Sequence, residues 1–235
     1  MSTVYLIPST LAADATATIP PYVVDAVKDC SIFFVENERS ARRFLKTIWK
    51  EMVIDDYRWV VIHKAEQSAK NQLKQCIEQQ LNAGIISEAG CPGVADPGQL
   101  LAAEAHRQGA TVKPLVGPSA ILLALMASGL NGQQFAFTGY LPIEHAERLK
   151  ALKALELESA RKNATQVFIE TPYRNTQLLE TLVKTCQPST LLCVAADITA
   201  QTEWIRTKTV QEWKKELPDL HKRPTIFCLL ARSLS

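Results

Sequence analysis

The sequence of 235 residues lacks the motifs that mark several large enzyme classes. It contains no Gly-x-Gly-x-x-Gly turn, no phosphate-binding Gly-Lys-Ser/Thr loop and no nucleophile elbow. These absences argue against nicotinamide-dependent oxidoreductases, P-loop nucleotide hydrolases and α/β-hydrolases. A dinucleotide-binding domain would carry a glycine-rich turn after its first strand, whereas the first predicted strand here leads into Pro8-Ser9-Thr10.

Metal-binding and disulfide patterns are also missing. The six cysteines include no Cys-x-x-Cys pair, and the four histidines, His63, His106, His145 and His221, are widely separated. Because no histidine stands at metal-ligand spacing from another histidine or a cysteine, we predict neither a metal site nor Cys/His catalysis. Most of the cysteines lie in or beside apolar segments, which is typical of reduced thiols in a cytoplasmic protein.

Long hydrophobic runs and a strong charge bias are absent as well. The longest apolar stretch, from Ala120 to Ala127, is far shorter than the roughly 20 residues that cross a bilayer. The N-terminus has no basic start before its short apolar run, so we expect no secretory segment and no membrane association. The formal net charge of +2 is too small by itself to indicate a nucleic-acid partner.

The chain does contain short apolar runs that alternate with helical patterns. In the first half, these runs predict strands at 4–7, 31–35, 59–62, 85–88 and 112–116. Since the runs are apolar at both alternating positions, they are typical of strands buried on both faces of a parallel sheet. Strand–helix alternation of this kind predicts an α/β architecture with a parallel, Rossmann-like sheet.

The second half of the chain has a different order of predicted strands and helices. It predicts strands at 134–139, 166–170, 191–196, 204–207 and 225–230, and helices at 144–162 and 175–185. Consecutive strands joined by short links indicate a mixed sheet. We therefore predict two α/β domains, residues 1–116 and residues 117–235.

The segment from Glu88 to Gly98, Glu-Ala-Gly-Cys-Pro-Gly-Val-Ala-Asp-Pro-Gly, is the most informative about function. It follows a buried strand and precedes a helix, and ligands of open α/β sheets bind beyond the carboxyl ends of strands. Its glycines allow the backbone to approach a ligand closely, and its prolines fix the shape of the loop. A purely structural interpretation is also open, in which Asp96 caps the next helix and Pro97 takes the first helical position.

A second loop, Val116-Gly-Pro-Ser-Ala120, has the same position between a strand and a helix. Ser119 could cap that helix or bind a ligand carboxylate at its start. Two such loops can face one crevice. After the second strand, Glu36 is a candidate general base, whereas Glu38 is typical of a helix start.

A further polar segment, Glu170-Thr-Pro-Tyr-Arg174, ends a strand in the second half. Tyr173 could stack on a purine, and Arg174 could bind a carboxylate or a phosphate. The alternative is a surface turn whose aromatic ring packs on its neighbours.

The order and spacing of these motifs resemble the tetrapyrrole methylase superfamily. The resemblance covers nearly the whole chain and is densest from Ile85 to Pro142. It rests on five segments: Glu88–Gly98, Val116–Ala120, Ser128–Leu130, Phe137–Pro142 and Glu170–Arg174. Within the superfamily, the motifs are most similar to the branch that includes the ribosomal small-subunit RNA 2′-O-ribose methyltransferase.

The resemblance implies an S-adenosylmethionine-dependent methyltransferase that forms a homodimer, with the cofactor in the cleft between the two α/β domains. It also implies that the Gly90–Gly93 loop lies along the cofactor and that the turn at Pro118 holds its amino-acid end. Residues after the later strands would border the adenine. The implied cofactor-binding positions are Glu88, Gly90, Cys91, Pro92, Gly93, Asp96, Pro118, Ser119, Ala120, Glu170, Pro172, Ala196 and Asp197.

The methyl acceptor is the open part of this prediction. The resemblance favours ribosomal RNA, and two basic clusters could contact phosphates or form solvated surface. The chain departs from the branch pattern on the substrate side, where it carries Asn37 and Ala200. These departures leave open a paralogue that binds S-adenosylmethionine and has a small-molecule, tetrapyrrole-like acceptor or no catalytic activity. The basic clusters are Arg39, Arg42, Arg43, Lys46 and Lys50, and His221, Lys222 and Arg223.

Overall fold

Five parallel strands form the sheet of the first of two compact units, Met1–Ser119 and Ala120–Ser235. The computed structural model describes residues 2–62 and 66–231, so that His63 lies outside the described residues. The division between the compact units falls after Ser119. The domain boundary between residues 116 and 117 stays a prediction.

The elements of the first unit alternate as predicted. Its strands are β1 (Thr3–Ile7), β2 (Ile32–Val35), β3 (Arg58–Val61), β4 (Ala83–Ile86) and β5 (Thr111–Pro114). Its helices are α1 (Val23–Lys28), α2 (Glu38–Ile48), α3 (Glu66–Glu78) and α4 (Gln99–Arg107). The order across the sheet is β3-β2-β4-β1-β5, and every neighbouring pair is parallel.

Helices cover both faces of this sheet. Tyr5 and Phe33 pack in a cluster with side chains of α1 and α2. Their neighbours Val4 and Phe34 point to the other face and pack with α3 and α4. Each fully buried apolar side chain of this kind contributes about 1.5–3 kcal/mol. The double burial explains why the strands are continuous apolar runs in the sequence.

The second unit contains the predicted mixed sheet. Its strands are β6 (Phe135–Tyr140), β7 (Thr165–Ile169), β8 (Leu191–Ala196), β9 (Trp204–Thr209) and β10 (Thr225–Leu230). Its helices are α5 (Ala120–Ser128), α6 (His145–Lys162), α7 (Asn175–Thr185) and α8 (Val210–Trp213). The order is β6-β7-β10-β8-β9, in which β6 and β7 are parallel and the other neighbours are antiparallel. The predicted fold class is therefore confirmed.

The core of the second unit lies between its sheet and the helices α6, α7 and α8. Phe168 and Phe227 stack with ring centroids 5.8 Å apart, and Leu152 and Leu178 pack on them in the same cluster. Trp213 is buried and donates its indole N–H to the carbonyl of Leu192 at 2.9 Å. Within the described residues, no helix has the length and apolar character needed to cross a membrane.

The direction of the strands decides where polar loops gather. In the first unit all five strands are parallel, so that the segments after β1, β2, β4 and β5 leave from one edge of the sheet. In the second unit β7 and β8 point the same way, because both are antiparallel to β10 between them. Each unit therefore collects its predicted functional loops at the carboxyl ends of its strands.

Candidate active site

Backbone hydrogen bonds join the first two loops at the carboxyl edge of the first sheet. Ser9, just beyond β1, donates its N–H to the carbonyl of Gly90 at 2.8 Å, and Gly90 donates back to Ser9 at 3.1 Å. The hydroxyl of Ser9 also donates to the carbonyl of Ser87 at 2.8 Å. The loop after β4 is therefore tied to β1 by the protein's own bonds.

Two glycines at this edge are required by their surroundings. A Cβ on Gly117 would lie 2.1 Å from Cβ of Pro8, which is far closer than two carbon atoms can approach. Gly90 has a φ of +72°, in the left-handed region that favours glycine. A Cβ on Gly90 would also lie 3.3 Å from Cδ2 of Leu11. The loops after β4 and β5 therefore pack with bare glycine backbone against side chains of the loop after β1.

Cys91 connects the two loops that were predicted to hold the cofactor. Its Sγ lies 3.5 Å from the carbonyl oxygen of Pro118 and 3.9 Å from that of Gly117. Burial raises the pKa of the Cys91 thiol, which keeps it protonated near neutral pH. Cys91 is therefore a hydrogen-bond donor that joins the loops, and its thiol is a poor nucleophile.

The helix after this loop begins two residues later than a cap at Asp96 would require. Helix α4 starts at Gln99, and its capping position is Gly98, which has a φ of +129° and no side-chain cap. The interpretation of Asp96 as the cap and of Pro97 as the first helical residue is therefore wrong. The physical reason is the positive φ of Gly98, which turns the backbone between Pro97 and the helix.

Carboxylates surround the loop on the side of β2. The backbone N–H of Glu88 donates to Oε2 of Glu36 at 3.1 Å, and the hydroxyl of Ser40 donates to Oε1 of Glu88 at 2.5 Å. Desolvation, together with the negative charges of Glu36 and Glu88, raises the pKa of Asp96 to about 6. A carboxyl group with such a pKa can exchange a proton near neutral pH. Sequence reasoning missed Ser40, because nothing in the α2 pattern distinguishes it from other helix-start residues.

The second unit carries predicted residues at the end of β7. Oε1 of the buried Glu170 accepts the N–H of Thr171 at 2.7 Å and Nη2 of Arg174 at 2.6 Å. Arg174 is thus held by Glu170 within the same loop. The ring of Tyr173 is 71% exposed and meets His221 edge-on, with 6.1 Å between ring centroids.

The loop after β8 holds a second polar network. Oδ2 of Asp197 accepts Nε of Arg223 at 2.7 Å and the hydroxyl of Thr202 at 3.0 Å. Nη2 of Arg223 also donates to the carbonyl of Thr202 at 2.8 Å. Arg223, which the sequence offered as a phosphate contact, instead fixes Asp197, which has a φ of +52°.

Unsatisfied polar atoms concentrate at this edge of the second sheet. The buried atoms without a hydrogen-bond partner among the described residues include Glu170 Oε2, Arg174 Nε, Asn175 Oδ1, Thr176 Oγ1 and Thr199 Oγ1. Leaving one such group unsatisfied costs about 1–3 kcal/mol. A polar ligand that carries donors and acceptors of its own could satisfy this combination of acceptors, a donor and hydroxyls.

Two basic residues of α2 make contacts within the protein. The guanidinium of Arg42 lies 5.1 Å from the ring centroid of Trp59 and pairs with Glu38. Lys46 donates to two backbone carbonyls just beyond the helix. Arg39 and Arg43 remain on the exposed face. Among the described residues no group of three or more His, Cys, Asp or Glu side chains could hold a metal ion.

Comparison with known proteins identifies the family. Residues 13–214 match the tetrapyrrole (corrin/porphyrin) methylases. The chain belongs to this family. The predicted recognition and the predicted cofactor are thereby confirmed, since tetrapyrrole methylases use S-adenosylmethionine as methyl donor.

Curated relatives of this tetrapyrrole methylase share the name ribosomal RNA small subunit methyltransferase I. The relative from Escherichia coli O157:H7 is 35% identical over 157 residues, which are 66% of this chain and 53% of the relative. The relative from Mesorhizobium japonicum is 38% identical over 130 residues, or 55% of this chain and 43% of the relative. The relative from Micromonospora olivasterospora is 31% identical over 181 residues, or 77% and 54%. The chain thus spans about half the length of the relatives it matches.

Solved structures share the fold at low sequence identity. A diphthine synthase superposes with a TM-score of 0.70 and 15% identity, covering 100% of this chain and 92% of that chain. The methyltransferase CobJ superposes with a TM-score of 0.64 and 17% identity, covering 98% and 93%. These likenesses support the two α/β sheets and carry no information on the acceptor.

Proposed function

We propose that this tetrapyrrole methylase is an S-adenosylmethionine-dependent methyltransferase whose acceptor is a ribose 2′-hydroxyl of small-subunit ribosomal RNA. The observation that carries this proposal is the family match over residues 13–214, together with relatives at 31–38% identity that are named for small-subunit ribosomal RNA. The tetrapyrrole-like acceptor has weaker support, because it depends on the description of the family alone.

The residues assigned to the cofactor are those that the motifs predict. When bound, S-adenosylmethionine supplies an activated methyl group on a positively charged sulfur. Gly90 and Gly117 keep side chains out of the space between these loops, and nearby carboxylates favour a positive charge. The assigned positions are Glu88, Gly90, Cys91, Pro92, Gly93, Asp96, Pro118, Ser119, Ala120, Glu170, Pro172, Ala196 and Asp197.

Glu36 is the proposed general base. It follows the carboxyl end of β2, and its Oε2 accepts the N–H of Glu88 at 3.1 Å, which orients the carboxylate. In this role Glu36 takes the proton of the ribose hydroxyl as the oxygen becomes the nucleophile. Positioned proton transfer of this type contributes roughly 10²–10⁴-fold to a rate.

The active form that we propose is a cytoplasmic homodimer. Helix α5 directs two apolar side chains to the surface of the second unit, Leu122 at 50% and Met126 at 77% exposure. Exposed apolar side chains on one helix favour a protein partner, and a second copy of the chain is the commonest such partner. Ribosomal RNA as substrate, together with six free cysteines, supports the cytoplasmic location.

The proposed function is tested by methyl transfer in vitro. The purified protein is incubated with S-adenosylmethionine labelled in its methyl group and with small ribosomal subunits from a strain that lacks its own ribosomal RNA small subunit methyltransferase I. We expect label in the RNA, within dinucleotides that resist alkali, because a methylated 2′-oxygen cannot attack the adjacent phosphodiester. Absence of label from RNA, while calorimetry still shows binding of S-adenosylhomocysteine, would overturn the RNA acceptor.

A matched pair of variants tests the base. Glu36→Gln should lower kcat by about 10²-fold or more and leave the affinity for S-adenosylhomocysteine unchanged. Glu38→Gln is the control, since Glu38 lies two residues away and pairs with Arg42 on α2. Equal rates for the two variants would remove Glu36 from the mechanism.

A further inference from the structure

A groove lies between α6 and α7 in the second unit, on helices that carry none of the assigned cofactor positions. It has a volume of about 550 Å³ and is open to solvent. His145, Leu149 and Lys153 form one wall at successive turns of α6, a span of about 12 Å along the helix. The opposite wall belongs to α7 and consists of Gln177, Glu180, Thr181, Lys184 and Thr185.

The two lysines of the groove differ from two other lysines on α6 in their ion pairing. Elsewhere on α6, Lys150 pairs with Glu147 at 2.7 Å and Lys162 pairs with Glu158 at 2.6 Å. Lys153 and Lys184, which face the groove, are exposed and form no ion pair within the part of the chain that the structure describes. The groove thus presents two unpaired ammonium groups on neighbouring helices, against one carboxylate, that of Glu180.

The start of α7 adds to the positive potential at one end of the groove, whereas the start of α6 is capped by the carboxylate of Glu144. Helix α7 has 11 residues, no capping side chain and no acidic residue in its first turn, where Gln177 lies. The free N–H groups of such a helix start carry a partial positive charge. Helices α6 and α7 follow β6 and β7 directly, so that this end of the groove opens beside the loop that starts at Glu170.

The lining does not suit a small organic molecule. Ligand pockets are mostly apolar and enclosed, whereas Leu149 is the only apolar residue lining this open groove. Flexible lysines with threonine and glutamine side chains are the contacts that proteins make with the sugar–phosphate backbone of nucleic acids. A chain of phosphates also matches an elongated groove better than a single anion does.

We propose that the α6–α7 groove binds the phosphate backbone of the RNA substrate, with Lys153 and Lys184 as its two phosphate contacts. This inference rests on the proposed function, because it assigns a docking surface to the RNA acceptor. Glu180 is the one carboxylate in the lining and limits the affinity of the groove. The contacts are electrostatic and fix position without reading sequence.

The test measures RNA binding as a function of salt. A fluorescein-labelled fragment of small-subunit ribosomal RNA is titrated with protein by fluorescence anisotropy between 50 and 200 mM KCl, with S-adenosylhomocysteine present. Each lost phosphate contact lowers the slope of log K against log salt concentration by about 1, so that Lys153→Gln/Lys184→Gln should lower it by about 2. Glu180→Gln should bind the RNA more tightly than the wild type, an outcome that damaged folding could not produce.

A charge-matched control separates the groove from general electrostatics. Lys150→Gln/Lys162→Gln removes the same charge from α6 but from residues paired with glutamates, and it should leave the salt slope within about 0.5 of the wild-type value. Equal slopes for both double variants, or no tighter binding by Glu180→Gln, would overturn the assignment of the groove as an RNA-binding surface. Wild-type protein that binds RNA but transfers no methyl group would overturn the proposed function, while the slopes would still decide the groove.

Discussion

At the scale of single residues, the loop after β4 combines strict geometry with unusual charge. Gly117 leaves no room for a side chain, because a Cβ would lie 2.1 Å from Pro8. Asp96 shares its surroundings with Glu36 and Glu88, and its pKa is raised to about 6. Three neighbouring carboxylates repel one another at neutral pH and so oppose folding. Clusters of this kind are expected at functional sites.

The raised pKa of Asp96 predicts a pH-dependent change in stability. The carboxyl has a pKa of about 3.9 in the unfolded chain and about 6 when folded, so that the native state binds more protons between these values. The contribution of Asp96 to stability is therefore fully present below pH 4 and is lost as the pH rises through about 6. Asp96→Asn removes the penalty of ionising this carboxyl, so that it should raise the free energy of unfolding above pH 7. The gain should be roughly 1 kcal/mol, because solvent screens the partly exposed group, and it should be about zero at pH 4. Urea unfolding at both pH values checks this, and a gain that is equal at both would contradict it.

At the scale of elements, helix α2 explains one departure from the family pattern. Asn37 is its N-cap, and the Asn37 side chain accepts the N–H groups of Arg39 at 3.0 Å and Ser40 at 3.3 Å. The cap holds the start of α2 next to Glu36 and directs Ser40 towards Glu88. The residue that the sequence offered as a sign of changed activity therefore has a clear structural role.

The capping role of Asn37 predicts different stabilities for two substitutions. Asn37→Ala should destabilise the protein by about 1 kcal/mol, because two backbone N–H groups lose their acceptor. Asn37→Asp keeps an acceptor oxygen and should stay within a few tenths of a kcal/mol of the wild type. Urea unfolding of both variants gives the comparison. If the alanine variant is as stable as the aspartate variant, Asn37 does not act as a cap.

At the scale of the whole molecule, each of the two units has its own sheet and its own buried core. The surface of the second unit retains apolar side chains on α5, at Leu122 and Met126. A helix that is apolar on both its inner and outer faces is typical of a position between two packed surfaces.

The α5 surface predicts the effect of charge on assembly. Light scattering during gel filtration should give twice the mass of one chain for the wild type. Leu122→Glu/Met126→Glu should give the mass of one chain, because buried carboxylates without partners oppose association. Leu157→Glu, on α6, replaces a leucine that is 67% exposed and serves as the control. A wild-type protein with the mass of one chain, or a double variant that remains dimeric, would contradict the proposed interface.

The sequence by itself determined the elements, the fold class, the protein family and, through the family, the cofactor. Apolar runs with helical segments between them are local patterns, so that β8, β10 and α7 were predicted with their observed bounds. Glycine and proline in fixed order, as in Glu88–Gly98, carried the family resemblance for the same local reason.

Only the tertiary structure decided how distant residues meet. The bond from Ser40 to Glu88, the pairing of Arg223 with Asp197 and the clash that requires Gly117 join residues that are far apart in the chain. No local pattern reports such contacts, because they follow from strand order and from the direction in which each strand leaves its sheet. The Asp96 cap was wrong for a related reason: Gly98, with its positive φ, turns the backbone before α4 begins. The groove of α6 and α7 likewise exists only because the two helices pack side by side.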